Sequence, residues 1–162
     1  MIELYDLNMD NTIILISKST TKYKILRNTA IQSKYLYNIM QTDDFNGVID
    51  LYFIPDQYLK KIIKFIKYIT NKPVPIITLP IQCKRFELLI CDIWFIDFFD
   101  VPSQELIDLI YFSNYLDIES LLYLSMCKMA TIVLLSKNPS QYLKINKATT
   151  KYIQMFEESL KY

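Results

Sequence analysis

The chain has 162 residues, enough for one domain with a substantial core. It carries 18 Lys and Arg against 17 Asp and Glu, no His, and a single glycine, Gly47. Without His there is no Ser-His-Asp or Cys-His nucleophile pair, no His-ligated zinc and no His general base; with one Gly there is no glycine-rich phosphate loop.

The net charge of +1 gives no global basic field for nucleic acid or an anionic membrane. Hydrophobic residues make up 52 % and charged residues 22 %, which predicts a globular chain rather than a disordered one. Ile, Lys, Asn and Tyr, which have AT-rich codons, are abundant, whereas Ala, Gly and Pro are scarce. That bias points to an AT-rich genome, such as that of a parasite or a large DNA virus. The most apolar stretch, Leu88 to Phe99, is interrupted by Asp92 and Asp97 and falls short of the roughly 20 residues of a membrane span. The acidic N-terminus, MIELYDLNMD, has no basic segment ahead of an apolar one, so no secretory signal is expected. Cys83, Cys91 and Cys127 are odd in number and match neither a disulfide framework nor a zinc pattern. Reduced cysteines in the cytoplasm or nucleus, with no metal and no cofactor, are the expectation.

In chain order, Thr12 to Ser17 (TIILIS) is a β-branched apolar run and predicts a buried strand. Ser19 to Thr21 supply a turn, and Lys22 to Ile25 alternate as the second strand of a hairpin. From Asn28 to Met40, Ile31, Tyr35, Leu36, Ile39 and Met40 recur at helical spacing, with Asn28 or Thr29 as cap. Val48 to Phe53 predicts a third strand. Pro55-Asp56 opens a helix in which Leu59, Ile62, Ile63, Ile66 and Ile69 form an apolar stripe opposite Lys60, Lys61, Lys64 and Lys67. Those lysines lack an aromatic platform or an Arg cluster, and a solvated face outweighs a phosphate-binding one. Three prolines make Asn71 to Pro80 a connector. Phe86 to Phe95 fits a strand, a helix, or both in sequence. Trp94, Phe95, Phe98 and Phe99 predict core, with a protein-binding patch as the alternative.

The remaining third reads as helices. Ser103 is the expected cap of one, with Glu105 in its first turn and Leu106, Ile107, Leu109, Ile110 and Tyr111 making it apolar around most of its girth. After a break at Asn114 to Asp117, Asp117 is expected to cap a helix from Ile118 to about Leu135. Its inward candidates are Leu121, Leu122, Met126, Met129, Ile132 and Val133. Asn138-Pro139 begins a short helix to about Lys144, and Lys151 to Leu160 predicts a last amphipathic one. Strands giving way to helices predict an α+β fold, with helices covering a small sheet. The acidic residues Asp92, Asp97, Asp100 and Glu105 are spread through one region with no partner base, so an enzyme is not expected.

At Pro102 to Leu122 (PSQELIDLIYFSNYLDIESLL) the chain resembles the Skp family, the adaptor subunits of SCF ubiquitin ligases, whose signature there is a helix ending in A-N-Y-L-D-I-x-x-L-L. Here Ser113-Asn114-Tyr115-Leu116-Asp117-Ile118 precedes Leu121-Leu122. Four further segments agree in order: Gln32-Ser33 with Leu36, Ile39 and Met40; Leu59-Lys60-Lys61-Ile62-Ile63; Trp94 to Val101, keeping Trp94, Phe98 and Val101; and Cys127-Lys128 with Asn138-Pro139. The resemblance spans about residues 12 to 145. It implies a BTB/POZ domain over residues 1–122, with a three-stranded sheet covered by helices, and a C-terminal helical extension over 123–162. It implies a non-catalytic adaptor joining a cullin N-terminal domain to the F-box of a substrate receptor, in the cytoplasm or nucleus, of a host cell if the source is viral. Asn114 and Tyr115 match the cullin-facing pair, and Met126, Met129 and Val133 lie in the helix resembling the F-box-facing one. The alternative is a BTB protein that self-associates as a homodimer, or a decoy binding one partner alone. Two departures stand out. The acidic loop common in the family is replaced by Pro-Ile-Ile-Thr-Leu-Pro and Phe-Glu-Leu-Leu-Ile, and the family's pattern after Lys144 is not matched.

Overall fold

The computed structural model describes residues 11–81 and 83–136. The helices expected at Asn138 to Lys144 and Lys151 to Leu160 lie outside the described residues. The described part is mixed α+β: one three-stranded sheet with six α-helices and a short 3-10 turn. The described residues divide into two compact units, 11–74 with 112–121 and 75–111 with 122–136.

The first unit holds the sheet. Strand β1 (Thr12–Ile16) pairs antiparallel with β2 (Lys22–Leu26) in a register running from Thr12 opposite Leu26 to Ile16 opposite Lys22. Strand β3 (Val48–Asp50) lies on the other side of β1 and runs parallel to it, giving the order β2-β1-β3. Alternation decides the buried face: Ile13, Leu15, Ile25 and Ile49 are 3 % exposed or less. The third strand is shorter than expected. The Leu51 N–H still reaches the Ile16 carbonyl at 2.7 Å, but the Ile54 N–H turns back to the Leu51 carbonyl at 2.9 Å, and this turn lifts Tyr52 and Phe53 into solvent.

The helix expected over Asn28 to Met40 is two helices, α1 (Arg27–Ala30) and α2 (Lys34–Met40), broken at Ile31 to Ser33. Neither Asn28 nor Thr29 caps. Ser33 caps α2, its Oγ accepting the Leu36 N–H at 3.1 Å. Helix α3 (Asp56–Ile69) follows its stripe closely. Leu59, Ile62, Ile63, Ile66 and Ile69 are buried and joined by Phe65, while Lys60, Lys64 and Lys67 are exposed and Lys61 half-buried. Each fully buried side chain of this kind contributes roughly 1.5–3 kcal/mol. The start of α3 is tied to the hairpin. The Asp56 carboxylate accepts hydrogen bonds from the hydroxyls of Ser17 and Thr21, which hold it below its ordinary carboxylate pKa.

In the second unit, Pro75 to Pro80 carries no regular element, and Tyr123 clasps it by donating to the Ile77 carbonyl (2.6 Å) and accepting the Ile77 N–H (3.1 Å). The region Phe86 to Phe95 contains no strand. It forms a 3-10 turn (Phe86–Leu88), and then α4 (Ile93–Phe98) begins, capped by Asp92, whose carboxylate accepts the Trp94 N–H at 2.9 Å. Of the aromatic cluster, Phe95, Phe98 and Phe99 are buried, while Trp94 is half-buried and stacked on Phe98 at 5.1 Å; Phe86 joins them, edge-on to Phe99 at 5.6 Å. Helix α5 (Ser103–Tyr115) includes Ser103 as its first helical residue rather than its cap, and α6 (Glu119–Leu135) follows it. Leu106 and Leu109 are the buried residues of the predicted α5 set; Ile107, Ile110 and Tyr111 are half-buried. On α6 the inward face is Leu121, Leu124, Ser125, Cys127 and Thr131. Of the inward candidates only Leu121 is fully buried, and Met126 is exposed. This helix is apolar nearly all round, so hydrophobic spacing could not choose its face, and small polar residues occupy buried positions.

Candidate protein-docking site

The sequence-predicted pair Asn114 and Tyr115 sits at the last turn of α5, in the first unit. The stop that exposes them is built by backbone hydrogen bonds. The Ile118 N–H bonds the Ser113 carbonyl at 2.9 Å and the Asp117 N–H the Asn114 carbonyl at 3.1 Å, with Asp117 in the left-handed region at φ 49°. That is a Schellman closure, and Asp117 is the residue past the helix end, not the cap of α6. Asp tolerates the left-handed region better than most non-glycine residues, which explains its place here.

The carbonyls just beyond the closure serve a second helix. The Lys34 N–H bonds the Asp117 carbonyl at 3.1 Å, the Tyr35 N–H reaches the Leu116 carbonyl at 3.4 Å, and the buried Ser33 hydroxyl donates to that same Leu116 carbonyl. The orphan donors at the start of α2 thus meet the carbonyls at the end of α5. This docking, together with the Ser33 cap, explains the break at Ile31 to Ser33. An exposed Lys34–Glu119 ion pair lies beside it and adds little.

Tyr115 is 41 % exposed, and its ring lies 4.1 Å from that of Phe53 and 5.2 Å from that of Tyr35, both tilted. Phe53 is itself 37 % exposed, in the turn after β3. A hydrogen bond between the two tyrosine hydroxyls, with partial burial, pushes the Tyr35 phenol up to about 12. Asn114 is exposed beside them. The result is an aromatic step of three rings from three separate segments, one face packed and the other open, with an amide at its margin. Aromatic groups held in this way present large apolar area at small entropic cost. Sequence reasoning did not include Phe53 and Tyr35; Phe53 was assigned to a strand and Tyr35 to a helix core.

The second candidate set behaves differently. Met126, Met129 and Val133 share one stripe of α6 at i, i+3 and i+7; Met126 is 37 % exposed and the other two are half-buried. On another side of α6, Lys128 lies over the Phe86 ring at 5.1 Å and pairs with Glu87 at 3.6 Å. Burial pushes the Cys127 thiol up, so it is no thiolate nucleophile at neutral pH. Cys83, Cys91 and Cys127 are all free. Among the described residues, no three His, Cys, Asp or Glu side chains converge as a metal site, and no helix is long and apolar enough to cross a membrane. No protein-family model matches the sequence, and no curated protein is significantly similar to it.

Proposed function

We propose that the chain is a divergent Skp-like adaptor with a BTB/POZ-type fold, joining a cullin scaffold to an F-box-type substrate receptor. Three things support this reading. Five motifs stand in the family's order along the sequence. The elements run strand, strand, two short helices, strand, helix before the last helices, an order compatible with that fold. The observation that carries most weight is the aromatic step at the end of α5: Tyr115, the residue matched to the cullin-facing tyrosine, is open to solvent yet braced by Phe53 and Tyr35. A residue matched only by its role in ending a helix would have no need of that exposure.

In this reading Tyr115 and Phe53 are the apolar anchors offered to the cullin N-terminal domain, and Asn114 supplies a polar contact at their rim. Met126, with Met129 and Val133 behind it, offers the flexible apolar stripe for the F-box. The protein acts in the cytoplasm or nucleus, where its three thiols stay reduced.

The test is a paired pull-down of the full chain with a cullin N-terminal domain and, separately, with an F-box peptide. Replacing Asn114 and Tyr115 with Ala should weaken the cullin complex by at least about 2 kcal/mol, roughly thirtyfold, as expected at the centre of an interface, and leave F-box capture intact. A folded double variant that still binds cullin at full strength refutes the site. A chain that captures neither partner and forms a dimer in light scattering refutes the adaptor and favours the self-associating alternative.

A further inference from the structure

The sheet has an open side that the adaptor reading does not use. Strand β2 is its outer strand, and its pairing alternation can be read from both ends of the hairpin. The Ser17 N–H bonds the Thr21 carbonyl at 3.0 Å, and the Arg27 N–H bonds the Asn11 carbonyl at 2.8 Å. Thr21, Tyr23, Ile25 and Arg27 therefore turn their backbone groups toward β1, and Lys22, Lys24 and Leu26 turn theirs away. Among the described residues no strand pairs with that outer row; the Leu26 carbonyl is taken by the first turn of α1, which leaves the N–H and C=O groups of Lys22 and Lys24 and the N–H of Leu26. The register with β1 is continuous, and β2 contains no proline and no bulge to blunt the edge.

The side chains of the same three residues share one face, and all are exposed, Leu26 at 46 %. An added strand would thus meet two lysines and then an apolar residue in alternation. A second copy of β2 is a poor occupant, because antiparallel pairing about Lys24 sets like charges opposite each other. The lysines that discourage self-pairing favour the opposite sign. We propose that the outer edge of β2 binds an extended acidic peptide of a partner protein by strand addition. In antiparallel pairing its sequence is an apolar residue, then acids at the second and fourth positions after it, facing Leu26, Lys24 and Lys22 in turn. Main-chain hydrogen bonds hold the peptide and the alternating side chains select it.

The experiment uses the full-length chain and a labelled capped peptide, Leu-Val-Glu-Val-Glu, in fluorescence anisotropy. The peptide should bind the natural chain, and Lys22→Glu with Lys24→Glu should lower its affinity roughly tenfold or more. A peptide with Lys in place of Glu should prefer that double variant. N-methylation of the two Glu residues, whose N–H groups bond the Lys24 and Lys22 carbonyls, should abolish binding, and N-methylation of the two Val residues should not. Binding that ignores the N-methyl groups is charge attraction alone and overturns the proposal. So does a peptide that binds only after residues 1–10 are removed, since the edge then belongs to the chain itself, and so does a β2-dependent dimer. Both lysines are exposed, so the double variant can be checked for folding by its unchanged urea midpoint.

Discussion

Removing the Ser33 hydroxyl tests whether the end of α5 and the start of α2 hold each other. Ser33 is fully buried; its Oγ accepts the Leu36 N–H at 3.1 Å and donates to the Leu116 carbonyl. In Ser33→Ala the lost cap costs about 1 kcal/mol. The Leu116 carbonyl keeps only the 3.4 Å contact from the Tyr35 N–H, and leaving a buried acceptor poorly paired costs about 1 kcal/mol more. The expected total is about 2 kcal/mol, a large part of the roughly 5–15 kcal/mol of a natural domain and equivalent to about 4–8 °C in Tm at this chain length. Urea denaturation should show a lower midpoint with an unchanged slope. Ser33→Gly separates the two contributions. Gly is nearly as good a cap as Ser, so its cost should be mostly the tie to Leu116, about 1 kcal/mol. A Ser33→Ala loss below about 0.5 kcal/mol, or a Gly variant as stable as the natural chain, refutes the argument that this hydroxyl joins the two helix ends.

Three further outcomes follow from single groups. The Tyr35 phenol is raised in the folded state, so its contribution to stability is complete below the ordinary tyrosine pKa of 10 and is lost as pH rises toward 12. Absorbance titration of Tyr115→Phe should show that late-ionising tyrosine moving back toward 10, whereas an unchanged titration would dissociate the two hydroxyls. The Asp56 carboxyl is lowered by Ser17 and Thr21, so its contribution is present above the unfolded carboxylate pKa of about 3.9 and is lost as pH falls through its lower folded value. Ser17→Ala with Thr21→Val should move the acid-unfolding midpoint upward; no movement counts against the tie between hairpin and α3. At Asp117, φ is 49°, where a β-branched side chain is strained, so Asp117→Val should cost about 1–2 kcal/mol in chemical denaturation while Asp117→Gly costs little or stabilises. Equal stability of the two variants would contradict the left-handed closure.

Local pattern sufficed where one face is apolar and the other is not. The hairpin followed from the β-branched apolar run Thr12 to Ser17 and the alternation of Lys22 to Ile25, and α3 from a stripe whose opposite side is lysine. It failed where the cause is distant in the chain. Within Ile31 to Ser33 the local signal is the capping Ser33, which the helical spacing of the neighbouring apolar residues masked; the partner is Leu116, and only folding brings its carbonyl there. The parallel pairing of β1 with β3 is of the same kind, since alternation names strands without naming neighbours. On α6 the difficulty was chemical: when Met126, Met129, Ile132 and Val133 are as apolar as Leu121 and Leu124, composition cannot say which face is inside.

The proposed docking site combines both cases. Local pattern gave the helix stop at Asn114 and Tyr115, whereas their choice as site residues came from the family resemblance alone. Phe53 was not, because its exposure depends on a third strand that ends after Asp50 and a turn that carries the next residues outward. Once it stands 4.1 Å from Tyr115, the two rings limit each other's rotamers, and each becomes a better anchor than it would be alone. Coupling of this kind predicts non-additivity in any partner complex. Phe53→Ala and Tyr115→Ala should together cost less than the sum of their separate losses, by about 0.5–1.5 kcal/mol for the lost ring pair. Strict additivity in a double-mutant cycle would mean that the rings act as separate contacts and that the aromatic step is not a unit.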